Sequence, residues 1–154
     1  MEERRNGTKK MEKYESYKEQ HDRLKKAMKH GFFFEAIVIE YAILEDRTES
    51  ILRYEGNSIN SKKHVTIEAK INKIETIARE KKGLAKRYFQ PELIAAMREW
   101  KEKRNGLIHA LMKHSVTQEE LRTIALEGEA LVKEVSRLSQ NYKRAVERKN
   151  KSEV

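Results

Sequence analysis

Residues that break helices are scarce in this chain. One proline, Pro91, and six glycines occur in 154 residues. Proline lacks a backbone N–H and glycine costs backbone entropy, so both weaken or end helices, and turns depend on them. An all-β fold needs such turn signals at short intervals. The composition therefore predicts an all-α protein.

Apolar residues recur at the three- and four-residue spacing of helices that bury one face. This periodicity predicts about five helices: 10–29, 33–54, 64–82, 91–109 and 118–143. A loop is expected at residues 56–61. Thr117 and Glu120 match the capping box that opens a helix. We predict an up-and-down bundle in a single domain, residues 11–143, between a flexible N-terminal segment, 1–10, and a flexible basic tail, 144–154.

The charge balance points to polyanions. Lys and Arg number 34 against 25 Asp and Glu, which gives a net charge of +9. Such an excess favours nucleic acid through phosphate neutralisation and counterion release. The alternative is that the charge serves only solubility.

Several functional classes are excluded by what the chain lacks. It has no cysteine, which excludes disulfides, thiolate zinc sites and thiol nucleophiles. No glycine-rich phosphate loop, serine-hydrolase elbow or zinc-protease motif is present, so we expect no cofactor and no metal. The charged N-terminus and the lack of a long apolar run predict a cytoplasmic protein without a membrane partner.

One short segment, Arg104 to His109, combines the residue types that cleave a phosphodiester. Arginine holds phosphate oxygens, histidine transfers protons near neutral pH, and Asn105 can orient the imidazole or donate to the phosphoryl group. On a straight helix Arg104 and His109 lie roughly 140° apart, whereas Asn105 and His109 share a face. The two groups converge only if the helix is irregular at Gly106 or if two chains combine across a dimer seam.

This pattern, in a predicted helical bundle, resembles the R-x(4–6)-H signature of HEPN domains. The apolar run Phe32 to Ala42 is similar to an early helix of that family, and the resemblance extends over residues 31–142. It implies a metal-independent endoribonuclease that acts as a homodimer and leaves 2′,3′-cyclic phosphate and 5′-hydroxyl ends. It also implies toxin–antitoxin or phage-defence systems, with an antitoxin protein as a further partner. Arg104 would hold the phosphate, Asn105 would assist, and His109 would act as acid or base.

Two other interpretations stay open. HEPN-like domains also include non-catalytic modules that bind RNA or protein, so the resemblance does not settle activity. Alternatively, the chain is a helical interaction protein unrelated to RNA, which associates through the near-heptad run of its last helix. In that case Arg104 and His109 are ordinary solvated side chains.

Further residues are candidates for supporting the motif. Asp46 and Arg47 lie in a mostly apolar helix and are expected to approach His109, although an ordinary ion pair is the alternative. Five cations are RNA-binding candidates: Arg87, Arg98, Lys101, Lys103 and Lys113. A second basic group, Arg79, Lys81, Lys82 and Lys86, would extend them into a cationic rim. The C-terminal basic run, 143–151, is interpreted as a solvated face.

Trp100 could serve base stacking together with Tyr88 and Phe89. Its helical spacing favours core packing instead.

Overall fold

The computed structural model describes residues 2–56, 65–80, 83–113 and 115–154. In these ranges the chain forms helices and no strands. The helices are α1 (Glu2–His30), α2 (Phe33–Tyr54), α3 (Ile67–Glu80), α4 (Leu84–Tyr88), α5 (Pro91–Leu111) and α6 (Gln118–Ser152). The all-α prediction is confirmed. The short α4 was not predicted, because its five residues are too few to show a period.

Several local signals act as the sequence predicts. Thr117 caps α6: its side chain accepts from the Glu120 N–H at 3.2 Å, and the Glu120 carboxylate accepts from the Thr117 N–H at 3.0 Å. Pro91 occupies the first turn of α5, where its missing N–H costs nothing. Gly31 and Gly56 have φ values of 74° and 77°, a backbone conformation that favours glycine. Of the predicted loop, residues 57–61 lie outside the described residues.

Both terminal helices extend further than the periodicity predicts. α1 already begins at Glu2, and α6 continues to Ser152. Helix bounds do not test the predicted flexibility of the two ends, which stays a prediction.

The spacing of Met11, Tyr14, Tyr17, Leu24 and Met28 predicts one buried stripe on α1, and this prediction is wrong at its N-terminal end. Met11 and Tyr14 are 65% and 68% exposed, whereas Leu24 is buried. Three-residue steps fall about 60° short of a full turn. Tyr14 and then Met11 are therefore rotated progressively away from the buried face that begins at Tyr17.

The core forms around α2, which packs against α1, α3 and α6. Its Ile37, Leu44 and Leu52 are almost completely buried. Trp100 of α5 is also buried, and its indole N–H donates to the Ile124 carbonyl at 3.0 Å. The core prediction for Trp100 is confirmed, and its ring is therefore not available for stacking on a base.

Contacts along the helices define their relative directions. α1 runs antiparallel to α6, since Tyr17 meets Ser136 while Gln118 reaches the Gly31 carbonyl at the opposite end. α2 runs in the same direction as α6. Glu40 of α2 packs against Gly128 of α6, and Tyr54, fourteen residues later in α2, bonds to Glu147, which also lies later in α6. α5 and α6 form an antiparallel pair, so α5 also runs antiparallel to α2.

The position of α3 departs from a strict up-and-down order. α4, which packs against the end of α3, lines a cleft together with Tyr54 at the end of α2. α2 and α3 therefore run in the same direction within the bundle.

No helix in the described part of the chain is long and apolar enough to cross a membrane.

Candidate functional site

The motif occupies the last two turns of α5. This helix is continuous through Gly106 up to Leu111, so the irregularity expected at Gly106 is absent. Added at Gly106, a Cβ would meet nothing within 4 Å, and the glycine adopts no special conformation. Within one chain, Arg104 and His109 therefore point about 140° apart around the helix axis.

Arg104 is held in place without being neutralised. Its guanidinium carbon lies 3.9 Å from the centroid of the Tyr41 ring, and its Nη1 donates to the Asn105 side-chain oxygen at 3.2 Å. The Nε atom is buried without a hydrogen-bond partner. No described Asp or Glu forms an ion pair with Arg104. A neutral amide and an aromatic face thus fix a cation whose charge stays uncompensated, as a phosphate-binding arginine requires.

Tyr41 is a site residue that the sequence interpretation missed. The spacing of Phe33, Ile37, Tyr41 and Leu44 predicts that it belongs to the buried stripe of α2. The structure leaves it partly exposed, with the core on one side and the guanidinium of Arg104 on its ring. A tyrosine in an otherwise apolar stripe was the only available signal, because tyrosine pairs an apolar body with a polar tip.

Glu40, the residue before Tyr41, does not compensate Arg104. Its side chain is completely buried between α2 and α6, and both carboxyl oxygens lack hydrogen-bond partners among the described residues. The carboxyl packs so closely on Gly128 that a Cβ there would lie 2.5 Å from Oε2. Burial, together with the nearby charge of Glu129, raises the pKa of Glu40 to about 9. The carboxyl is therefore neutral at pH 7.

His109 lies in the final turn of α5 with its side chain exposed. The side chains of Arg104 and Asn105 bond to each other, and neither bonds to the imidazole. The imidazole is thus open to solvent, to a substrate or to a second chain.

Asp46 and Arg47 do not approach the motif in the contacts that the structure gives them. Arg47 donates to the Asp46 carboxylate at 2.6 Å, and its guanidinium carbon lies 4.2 Å from the Tyr17 ring centroid. Lys13 of α1 also pairs with Asp46 at 3.6 Å. Burial alone would raise the pKa of Asp46, but the hydrogen bond and charge of Arg47, with Lys13, lower it. The pair therefore connects α2 to α1. None of these contacts involves His109, so the structure gives no basis for the expected influence on that residue.

The RNA-binding candidates divide into two groups. Arg98 pairs with Glu68 and Glu75, so it is already engaged by carboxylates. The same holds for Lys101 with Glu68 and for Lys103, whose Nζ lies 2.9 Å from Glu127.

Arg87 and Lys113 are exposed and have no carboxylate partner within the described residues. Lys81 and Lys82 of the expected cationic rim lie outside those residues. The rim around the motif is thus more nearly neutral than the sequence predicts.

An exposed apolar strip flanks the motif. Ile108 and Met112 of α5 are 37% and 84% exposed, and Phe34 and Val38 of α2 are 44% and 47% exposed. The helices are antiparallel and meet where Arg104 lies on Tyr41. The turns after Arg104 therefore lie alongside the turns before Tyr41, and the four apolar side chains lie on the same part of the bundle.

In the residues that the structure describes, no three His, Asp or Glu side chains lie close enough together to hold a metal ion. Compared with protein-family models, with curated proteins and with solved structures, the chain matches none of them. The resemblance to HEPN domains therefore depends on the motif and on the order of the helices.

Proposed function

We propose that this chain is a metal-independent endoribonuclease of the HEPN type that acts as a homodimer. The observation that carries the proposal is the uncompensated guanidinium of Arg104, held by Tyr41 and Asn105 one turn before the exposed His109. A fixed cation without a carboxylate partner binds phosphate, and a nearby accessible imidazole can transfer protons. An antitoxin partner, a toxin–antitoxin or phage-defence setting and a cytoplasmic location belong to the same proposal.

Two copies of the chain are needed to assemble the site. Five residues along a helix correspond to about 7.5 Å of axial rise, and Arg104 and His109 also diverge by roughly 140°. One chain therefore does not direct both groups at one phosphate. The apolar strip of Phe34, Val38, Ile108 and Met112 supplies the kind of exposed surface through which proteins associate. Association through this strip would bring two motifs to one cleft.

The chemistry is an internal transfer at phosphorus. The ribose 2′-oxygen forms a bond to the adjacent phosphorus while the bond from phosphorus to the 5′-oxygen breaks. One His109 takes the proton of the 2′-hydroxyl, and the His109 of the second copy gives a proton to the departing 5′-oxygen. Arg104 stabilises the charge that develops on the phosphoryl oxygens, and Asn105 keeps the guanidinium in position. The products are a 2′,3′-cyclic phosphate and a 5′-hydroxyl.

A second candidate is a non-catalytic HEPN-like module that binds RNA or protein. It is favoured by the Asn105 side chain, whose oxygen bonds to Arg104 and not to His109. In this alternative Arg104 still binds phosphate, but no proton transfer follows.

The test is RNA cleavage by His109→Ala in the presence of EDTA. We expect the wild-type protein to cut RNA and the variant to leave it intact, because the proton-transfer group is lost. The matched control is His30→Ala, which removes another exposed histidine from outside α5 and should keep full activity. Circular dichroism and light scattering would verify that helix content and dimer mass are unchanged. Cleavage at the wild-type rate by His109→Ala would refute the catalytic proposal.

A further inference from the structure

Cations without carboxylate partners collect at the end of the bundle where α1 begins and α6 finishes. The last turns of α6 carry Lys143, Arg144, Arg148, Lys149 and Lys151. None of them forms an ion pair with an Asp or Glu in the described parts of the chain. This contrasts with Arg98, Lys101 and Lys103 near the motif, whose charges are all engaged. A group of cations that remain available to a polyanion therefore lies at this end, in addition to Arg104 and Lys113 in and near the motif.

The cations are arranged along one stripe of α6. Arg144, Arg148 and Lys151 follow the i, i+4, i+7 spacing that places side chains on the same face of a helix. All three are exposed. Such a row matches the repeating charge of a phosphodiester backbone.

The N-terminal half of α1 adds charge to the same end. α1 and α6 are antiparallel, so the exposed Lys9 and Lys10, and Lys13, which pairs with Asp46, lie in the part of α1 that runs towards the end of α6. Burial lowers the pKa of Lys143 to about 8; the charges of Arg47 and Lys13 add to this effect, and those of Asp46 and Glu147 oppose it. An anion bound here would relieve the mutual repulsion of these cations.

Aromatic side chains accompany the cations. Tyr54, at the end of α2, is 41% exposed, and the Lys143 amine lies 5.2 Å from its ring centroid. Tyr14 of α1 is 68% exposed. Exposed aromatic rings within a basic surface are the usual platform for unpaired bases. An interfacial membrane helix would instead need a broad apolar face, and residues 147–153 contain no apolar residue.

We propose that this surface, the α1–α6 basic end (Lys9, Lys10, Lys13, Arg144, Arg148 and Lys151), binds the backbone of single-stranded RNA away from the Arg104–His109 motif. Recognition of RNA in particular rests on the proposed function, because the surface itself selects only a phosphodiester chain with accessible bases. The C-terminal basic run is then a binding element and not a solvated face.

The separation of the two surfaces defines a minimum substrate length. From Tyr41, which holds Arg104, to Tyr54 is thirteen residues of α2, or about 20 Å at the rise of an α-helix. At about 3.4 Å per stacked nucleotide, this distance requires roughly six nucleotides. Shorter RNA would reach the motif without contacting the α1–α6 basic end.

The test separates binding from cleavage. Fluorescence anisotropy would measure the Kd of a labelled 12-nucleotide RNA in which every ribose is 2′-O-methylated, so that no 2′-hydroxyl is available to attack. The test variant is Arg144→Gln/Arg148→Gln/Lys151→Gln. The matched control is Arg23→Gln/Arg79→Gln/Lys133→Gln, which removes the same charge from exposed cations that are paired with Glu35, Glu75 and Glu129.

We expect the test variant to raise Kd about tenfold or more and to reduce the salt slope by about 2, since each lost contact to a single strand contributes about 0.7. The control should stay within about twofold of wild type. A 4-nucleotide RNA, which is too short to contact both surfaces at once, should show a smaller difference between the two variants than the 12-nucleotide RNA.

Equal Kd values for the two triple variants with the 12-nucleotide RNA would overturn the inference, as would wild-type protein that does not bind it. Binding to phosphatidylserine vesicles without binding to the RNA would also overturn it, in favour of a membrane surface. Failure of the proposed function looks different: the protein then cuts no RNA, or His109→Ala cuts normally, while the two triple variants still differ in binding.

Discussion

Two arginines in this bundle have nearly the same surroundings and different electrostatics. Arg47 stacks on Tyr17 and donates to its neighbour Asp46, whereas Arg104 stacks on Tyr41 and donates to its neighbour Asn105. In both cases a tyrosine ring and the adjacent side chain fix the guanidinium. The acceptor is a carboxylate in the first and a neutral amide in the second.

This difference separates a structural cation from one that is available to a ligand. Asp46 neutralises Arg47, and the pair connects α2 to α1. Arg104 keeps its charge, and its Nε has no partner. The nearest carboxyl in sequence to Tyr41 is Glu40, and that group is buried in the α2–α6 interface with a pKa raised to about 9. The side chain that follows each arginine, an acid in one case and an amide in the other, thus accounts for the difference in charge compensation.

The largest effect on cleavage should come from a substitution that makes the surroundings of Arg104 resemble those of Arg47. Asn105→Asp gives Arg104 a carboxylate neighbour, which competes with phosphate for the guanidinium. We expect kcat/KM for RNA cleavage to fall by about 100-fold, the usual loss when one preorganised electrostatic group is removed. The matched change Asp46→Asn should leave cleavage within about twofold, since its contacts lie with α1. Full activity of Asn105→Asp would show that the uncompensated charge of Arg104 is not used.

Removing each arginine should separate their roles in stability. Arg47→Ala deletes a buried side chain and leaves Asp46 with Lys13 as its remaining ion-pair partner, so we expect the free energy of unfolding to fall by about 2 kcal/mol. Arg104→Ala loses mainly its contact with the Tyr41 ring, which is worth less than about 1 kcal/mol. Urea denaturation would measure both. Equal losses for the two variants would mean that the two arginines are equally structural.

The smallest effect on cleavage concerns Glu40. Its pKa is about 9 in the folded chain against 4.5 for an ordinary glutamate. The folded state therefore keeps a proton that the unfolded chain releases. Its penalty is absent below pH 4.5, and stability falls as the pH rises from 4.5 towards 9. Glu40→Gln removes this fall and should stabilise the protein at pH 7 by at most about 3 kcal/mol, at about 1.4 kcal/mol for each pH unit above 4.5.

Urea denaturation at pH 4, 7 and 9 checks this prediction, because the difference between wild type and Glu40→Gln should grow with pH. Cleavage should change by less than about twofold. A large rise in cleavage by Glu40→Gln would show instead that Glu40 is charged and opposes phosphate at Arg104.

Much of the fold could be predicted from local sequence signals. The bounds of α2, the capping box at Thr117 and the burial of Trp100 follow from spacing and side-chain chemistry within one helix. The predictions that differ are those that depend on a second helix. Met11 and Tyr14 have the expected spacing, but α1 turns them away from its partners. The short α4 and the shared direction of α2 and α3 have no periodic signal.

The candidate site shows the same division. The residue types of Arg104, Asn105 and His109 are visible in the sequence, as is their spacing. Their environment is not: Tyr41 reaches Arg104 from another helix, and Asp46 and Arg47 face α1. Whether the nuclease chemistry follows from this arrangement is a prediction for the cleavage experiments.

The sequence by itself determined the helices, their apolar faces and the short segment with nuclease-like chemistry, because these depend on neighbours within a turn or two of one helix. The tertiary structure alone decided which of the described basic residues are neutralised by a carboxylate of another helix. Glu68 reaches Lys101 and Glu127 reaches Lys103 only because distant helices pack in one register. Whether a carboxylate neutralises a cation on another helix depends on the distance and direction between the two packed side chains. Neither quantity can be predicted from the order of residues along the chain.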